Sequence, residues 1–250
     1  MAQDGLTPQE RFAREMGALS QTDPEFMQIF SRFAFTDVPE GCTLDAPTRY
    51  LAVLSALLGC GGTQAFRALL PAALSQGLTP VMAREAVYQS AAYLGFGRML
   101  PFLKNLSSVL RAQGVQLPLP PQAGADDSAR LQAGEQAQVD IFGPQMRGFA
   151  ASGPEETRAI HRWLSENCFG DYYTRGGLDY RQREMVTFCL LLSQGGCEPQ
   201  LSSHIAANLR LGNDRAFLIQ VICQCLPYVG YPRSLNALRL VREASGGADS

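Results

Sequence analysis

The sequence predicts an all-α protein built from two tandem copies of one helical unit. Three observations predict this. Helix-start and helix-stop signals recur along the chain, no stretch alternates apolar and polar residues as a half-buried strand would, and the two halves match each other at a nearly constant displacement.

Taken in order, the first helix spans 7–19, where Thr7, Pro8 and Glu10 supply an N-cap, a first-turn proline and a capping-box carboxylate. Asp23-Pro24 opens a second over 24–34. Helices 46–58 and 64–76 flank Gly61-Gly62, and Gly77 closes the latter as a left-handed C-cap. Pro71 lies inside 64–76 and is expected to kink it. Thr79-Pro80 opens 80–94, where Val81, Ala83, Ala86, Val87 and Ser90 recur at helical spacing, and 98–113 ends at Gly114. Helices 136–150 and 155–167 follow; Asp179 with Gln182 boxes the start of 180–193. The last three, 198–211, 213–227 and 232–244, are punctuated by Gly212 and Pro232.

Displacing the chain by 134 residues lays Phe35 on Phe169, Asp37 on Asp171, Arg49 on Arg183 and Gly61-Gly62 on Gly195-Gly196. After a one-residue gap near position 64 the displacement is 135, and Leu74 meets Leu209, Gly77 meets Gly212, Tyr93 meets Tyr228 and Arg98 meets Arg233. The stretch from Gln116 to Ser128 carries three prolines and little to pack. The expected organisation is a first copy over 1–113, a linker over 114–135 and a second copy over 136–250.

Composition narrows the function. The 250 residues are 46% apolar and 18% charged, enough for a large core. Twenty-one basic against 23 acidic residues leave a net charge of -2, so neither nucleic acid nor an anionic membrane surface is an expected partner. No apolar run reaches the roughly 18–20 residues of a bilayer span, and the start lacks a secretory pattern, so a cytoplasmic location is expected. The 7 cysteines are odd in number and irregularly spaced, as buried thiols of a reducing compartment would be. With 2 histidines, a histidine-rich metal site is excluded, and no metal or cofactor is expected.

The copies differ in chemistry. Where the second has Glu184, Cys197 and His204, the first has Tyr50, Thr63 and Leu69. An acid, a thiol and an imidazole are missing together, which points to the second copy as the reactive one. Cys197 follows the Gly195-Gly196 break and precedes Pro199, so it falls at a helix N-cap, where unpaired N–H groups and the helix dipole favour a thiolate. His204 lies seven residues on, on the same face but about 10 Å along the axis. Glu184 would reach His204 if the two helices pack antiparallel.

Glu184, the twelve-residue interval to Cys197, the Cys-x-x-Gln-x-x-x-His spacing through Gln200 to His204, and the run from Tyr228 to Leu238 resemble the carboxymuconolactone decarboxylase family, which includes alkyl hydroperoxidase D. The resemblance covers about 24–113 and 158–247 and implies a duplicated alkyl hydroperoxidase D-like fold, with a homo-oligomer expected. It implies first a thiol-dependent peroxidase using Cys197, His204 and Glu184. The peroxidases carry a second cysteine where this chain has Gln200, so an external thiol or Cys189 would have to resolve an oxidised Cys197. It implies second a decarboxylase of a carboxylated lactone, using His204 and Glu184 as acid and base, with Arg183, Arg210 or Arg233 to hold the carboxylates. A non-catalytic scaffold is the third reading.

Other conspicuous residues have plainer readings. Cys223 and Cys225, two apart on a helix, diverge and belong to packing. Tyr93 and Tyr228 mark helix-helix contacts, with Tyr228 also able to line a pocket. His161 and Trp163 belong to a surface or an interface.

Overall fold

A computed structural model describes residues 5–246. Among them every regular element is helical: α1 Pro8–Met16, α2 Leu19–Thr22, α3 Pro24–Arg32, α4 Ala46–Cys60, α5 Thr63–Ser75, α6 Pro80–Leu94 and α7 Phe96–Ala112 in the first half. The second half holds α8 Arg130–Phe142, α9 Arg158–Trp163, α10 Tyr180–Gln194, α11 Glu198–Arg210, α12 Arg215–Val229 and α13 Tyr231–Ala244. Among the described residues no helix is long and apolar enough to cross a membrane.

The start signals act as expected. Thr7 and Glu10 exchange both capping-box bonds, and Asp179 and Gln182 do the same at α10. Thr79 Oγ1 accepts the Met82 N–H at 3.1 Å. Asp23 departs: its carboxylate takes the Thr22 hydroxyl at 2.6 Å and caps nothing.

The duplication is visible helix by helix. α4 and α10 are both 15 residues long, α5 and α11 both 13, α6 and α12 both 15. α3 and α9 each widen into a π-helical stretch, Phe33–Asp37 and Leu164–Tyr173. The gap between copies falls inside the glycine turn: α5 starts at Thr63 and α11 at Glu198, so the N-cap equivalent to Cys197 is Gly62, not Thr63.

Two expectations are corrected. The helix expected over 136–150 begins at Arg130 and stops at Gly143, whose φ of 112° lies outside the helical region, with Pro144 next. The stretch read as a bare linker is strapped down. Leu117 and Leu119 pack on the core, and the Arg84 guanidinium donates to the Leu119 and Pro120 carbonyls at 3.1 and 2.9 Å. Pro71 lies inside α5, which runs on to Ser75, and is buried in the core.

The two copies join through α4 and α10, the equivalent and most buried helices. Their backbones approach at Gly59, where an added Cβ would collide with Ser193 Oγ and the Leu190 carbonyl. On α10 every residue from Arg183 to Ser193 is buried. A carboxylate at Glu184 is thereby carried into the interior, which is costly unless a partner meets it there.

Candidate active site

The partner is His204. Gly195 and Gly196, both with φ of 72°, reverse the chain after α10 and return α11 alongside it. The Glu184 carboxylate is fully buried, and its Oε2 lies 2.7 Å from His204 Nδ1. Asn208 locks the register: its Nδ2 donates to the Glu184 carbonyl at 3.0 Å and to the His204 carbonyl at 2.8 Å. Asn213 in turn donates to Asn208 Oδ1 at 2.8 Å.

A carboxylate oxygen only accepts, so Nδ1 carries the proton of this bond. Nε2 is left as the nitrogen offered to a cavity of about 850 Å³ that His204 lines. Phe142 and Tyr93 stand edge-on to the imidazole, with centroids 5.3 and 5.8 Å away. They fix the ring plane. Among the described residues no aspartate or glutamate lines the cavity, whereas the exposed Arg210 does.

Cys197 is the N-cap of α11 and borders the same cavity, half-buried. Its sulfur does not cap the helix. It turns back toward α10, donating to the Leu191 carbonyl at 3.4 Å and meeting the Gln194 amide nitrogen at 3.6 Å. The expected contact with the free N–H groups of α11 is therefore not made. Gln200 lines the same cavity.

The remaining expectations sort by burial. Cys189 is sealed in the core against Cys225, so it is not placed to resolve an oxidised Cys197. Cys223 is exposed while Cys225 is buried, as their divergence on one helix requires. Of the three arginines expected to hold a carboxylate, Arg183 is fully buried and bonded to Gln89, Glu85 and the Arg175 carbonyl. Arg233 bonds the Ser193 carbonyl and lines a separate cleft. Only Arg210 reaches the His204 cavity. His161 stacks on Phe149 at 4.6 Å, and Trp163 is exposed.

Sequence reasoning missed several groups. Tyr93, read as a packing contact, comes from the first copy to form a wall of the second copy's cavity. Its hydroxyl meets that of Tyr173 at 2.7 Å, and Tyr173 meets Thr187 Oγ1 at 2.5 Å. Burial holds both phenols well above their usual range, and the nearby Glu184 charge adds to this. Cys168 borders the cavity beside Tyr93, its thiol pushed up to about 12 chiefly by burial. For Cys168 and Thr187, and for Asn208 and Asn213, a signal existed. The first copy has Ala34, Val53, Ala73 and Leu78 where the second has Cys168, Thr187, Asn208 and Asn213.

Among the described residues no group of three or more His, Cys, Asp or Glu side chains is arranged as a metal site.

Comparison with known proteins agrees with this architecture. The sequence profile of the carboxymuconolactone decarboxylase family matches residues 24–105 and again 158–243. A protein of Acinetobacter baylyi named 4-carboxymuconolactone decarboxylase is 24% identical over 119 residues, which is 47% of this chain and 88% of the relative. A solved structure from Burkholderia xenovorans, provisionally named a gamma-carboxymuconolactone decarboxylase subunit, superposes with a TM-score of 0.56 at 20% identity, covering 96% of this chain and 97% of that one. At that identity the likeness is one of fold.

Proposed function

The chain belongs to the carboxymuconolactone decarboxylase family, and from that premise we propose that its second copy is a carboxy-lyase acting on a small carboxylated lactone, with His204 as the proton donor and Glu184 as its charged support. The observation that carries this reading is the 2.7 Å contact between Glu184 Oε2 and His204 Nδ1 beneath an acid-free cavity. Loss of carbon dioxide breaks one carbon–carbon bond and leaves its electron pair on the substrate carbon. A proton on Nε2 of the His204 imidazolium completes the new carbon–hydrogen bond, and Glu184 compensates the ring's charge before the transfer. Arg210 at the cavity wall pairs with a substrate carboxylate. The named activity of the Acinetobacter relative is of this class.

A second reading, a thiol peroxidase, draws on Cys197 bordering the same cavity. Its thiolate would take the distal peroxide oxygen to give a sulfenic acid and an alcohol, and an external thiol reductant would restore it. The turn of the sulfur toward Leu191, Gln200 in the second-thiol position and the sealed Cys189 all favour the lyase. A homo-oligomer accompanies either reading, since exposed apolar residues recur at equivalent positions, Ile29 with Trp163 and Phe96 with Tyr231. The test is carbon dioxide release from 4-carboxymuconolactone by the purified protein, beside peroxide consumption with a dithiol donor. Turnover of the lactone abolished by His204→Gln supports the lyase; peroxide turnover alone overturns it.

A further inference from the structure

The repeat relation marks a second cavity, in the copy that lacks the imidazole. Arg49, Tyr50 and Val53 are the equivalents of Arg183, Glu184 and Thr187, and Tyr228 reaches them from α12 as Tyr93 reaches His204 from α6. With Phe35 and Gln224 they line a space of about 280 Å³. In the second copy Arg183 is neutralised by Glu85. The equivalent of Glu85 is Gln220, whose side-chain oxygen is occupied by the Thr43 N–H at 2.8 Å. Arg49 therefore has no ion-pair partner among the described residues and lies 5.2 Å over the Tyr50 ring.

The phenols belong to the same cluster. Tyr50 is only 4% exposed and its oxygen accepts from the Arg49 guanidinium, while its own proton and that of Tyr228 remain available to an acceptor. Burial is the main cause raising both hydroxyls above their usual range, so they stay protonated donors. A half-buried cation and two phenol donors border a space that no acid among the described residues lines. Such groups are satisfied by an anion that only accepts. Pro8, Ala34, Phe35 and Val53 supply the apolar part of the lining and Thr7, Gln9 and Gln224 its neutral polar part, and the volume lies just below the roughly 300–1,000 Å³ of small-molecule sites.

We propose that this cavity binds a small aromatic monocarboxylate, its carboxylate held by Arg49, Tyr50 and Tyr228 and its ring against Phe35 and Val53. The assignment does not depend on the reaction carried out in the His204 cavity. The probe is benzoate, titrated calorimetrically into the full-length Arg210→Met protein, whose other cavity has lost its cation. One benzoate per chain is expected, with affinity falling at least tenfold in Arg49→Met and severalfold in Tyr228→Phe, each checked for an unchanged melting temperature. Crystals soaked in 4-bromobenzoate should show the bromine anomalous peak beside Phe35 and Val53. Binding that survives Arg49→Met, inorganic phosphate binding as tightly as benzoate, or a bromine peak only beside His204 would each overturn the proposal; if Arg49→Met misfolds, the bromine position alone decides.

Discussion

Glu184 meets His204 through one carboxylate oxygen only: Oε2 lies 2.7 Å from Nδ1, while the buried Oε1 has no hydrogen-bond partner among the described residues. The imidazole is thus the principal compensation for a fully buried acid. Replacing His204 by Ala should destabilise the protein as well as inactivate it, by about 3–5 kcal/mol, because a lone buried charge remains. Glu184→Gln should cost roughly 10²–10⁴ in kcat with far less loss of stability, the amide still reaching Nδ1. In the double variant Glu184→Gln, His204→Ala, denaturant melts should recover much of the stability lost in His204→Ala. Simple addition of the two single effects would show the pair is not coupled.

Cys197 separates the two chemistries. Its sulfur donates to the Leu191 carbonyl at 3.4 Å, a bond a serine hydroxyl can also make. Cys197→Ser should therefore fold normally and keep lactone decarboxylation within about threefold, as no lyase step touches the thiol. It should remove any peroxide consumption altogether. Loss of decarboxylation in a well-folded Cys197→Ser protein would place the sulfur in the lyase step and refute the division of roles argued above.

Arg210 is exposed and projects from the helix that carries His204. A substrate carboxylate paired with it gains a charge-assisted contact in the ground state and the transition state alike. Arg210→Met should raise KM roughly tenfold or more with kcat little changed. Steady-state kinetics check this directly, and an equal fall in kcat would mean the arginine acts on the departing carbon dioxide.

The architecture was legible because helix punctuation and repetition are local or periodic properties. Thr7 with Glu10 and Asp179 with Gln182 box their helices as the spacing requires. The pairing of Glu184 with His204 was legible too, since it needs only two antiparallel helices joined by Gly195-Gly196. Tyr93 was not, because a residue of one copy that lines the other's cavity leaves no mark within its own copy. The orientation of the Cys197 sulfur was equally hidden. Position at an N-cap sets where the Cα lies, whereas the carbonyl of Leu191 on the neighbouring helix sets where the sulfur points. The strapped segment around Pro118 and Pro120 misled through composition, for Leu117 and Leu119 between the prolines are what pack.

At Gly59 the backbone of α4 lies against α10, and a methyl group there would strike Ser193 Oγ and the Leu190 backbone. The side chain can rotate away but the carbonyl cannot. Gly59→Ala should lower stability by about 1–3 kcal/mol, despite the better helix propensity of alanine. Chemical denaturation checks the magnitude. Because α10 also carries Glu184, a displaced α10 should lower activity in the same variant even though Gly59 does not line the cavity.

Stability in alkali follows from Cys168. Burial holds its thiol up to about 12 against an ordinary value of 9.0, so the folded chain retains a proton that the unfolded chain releases first. A group raised in this sense supports folding fully below pH 9 and loses that support as pH climbs toward 12. Between those limits the native state binds more protons than the unfolded state, and unfolding free energy should fall by up to about 1.4 kcal/mol per pH unit for this one group. Tyr93 and Tyr173, held up in the same cluster, add to the slope above pH 10. Cys168→Ala removes the thiol and its contact with the Tyr93 hydroxyl at 3.9 Å. Urea melts of the two proteins from pH 8 to 10.5 should show the variant less stable at pH 8 but with a shallower decline above pH 9. Parallel curves would mean that the thiol ionises no differently in the folded chain.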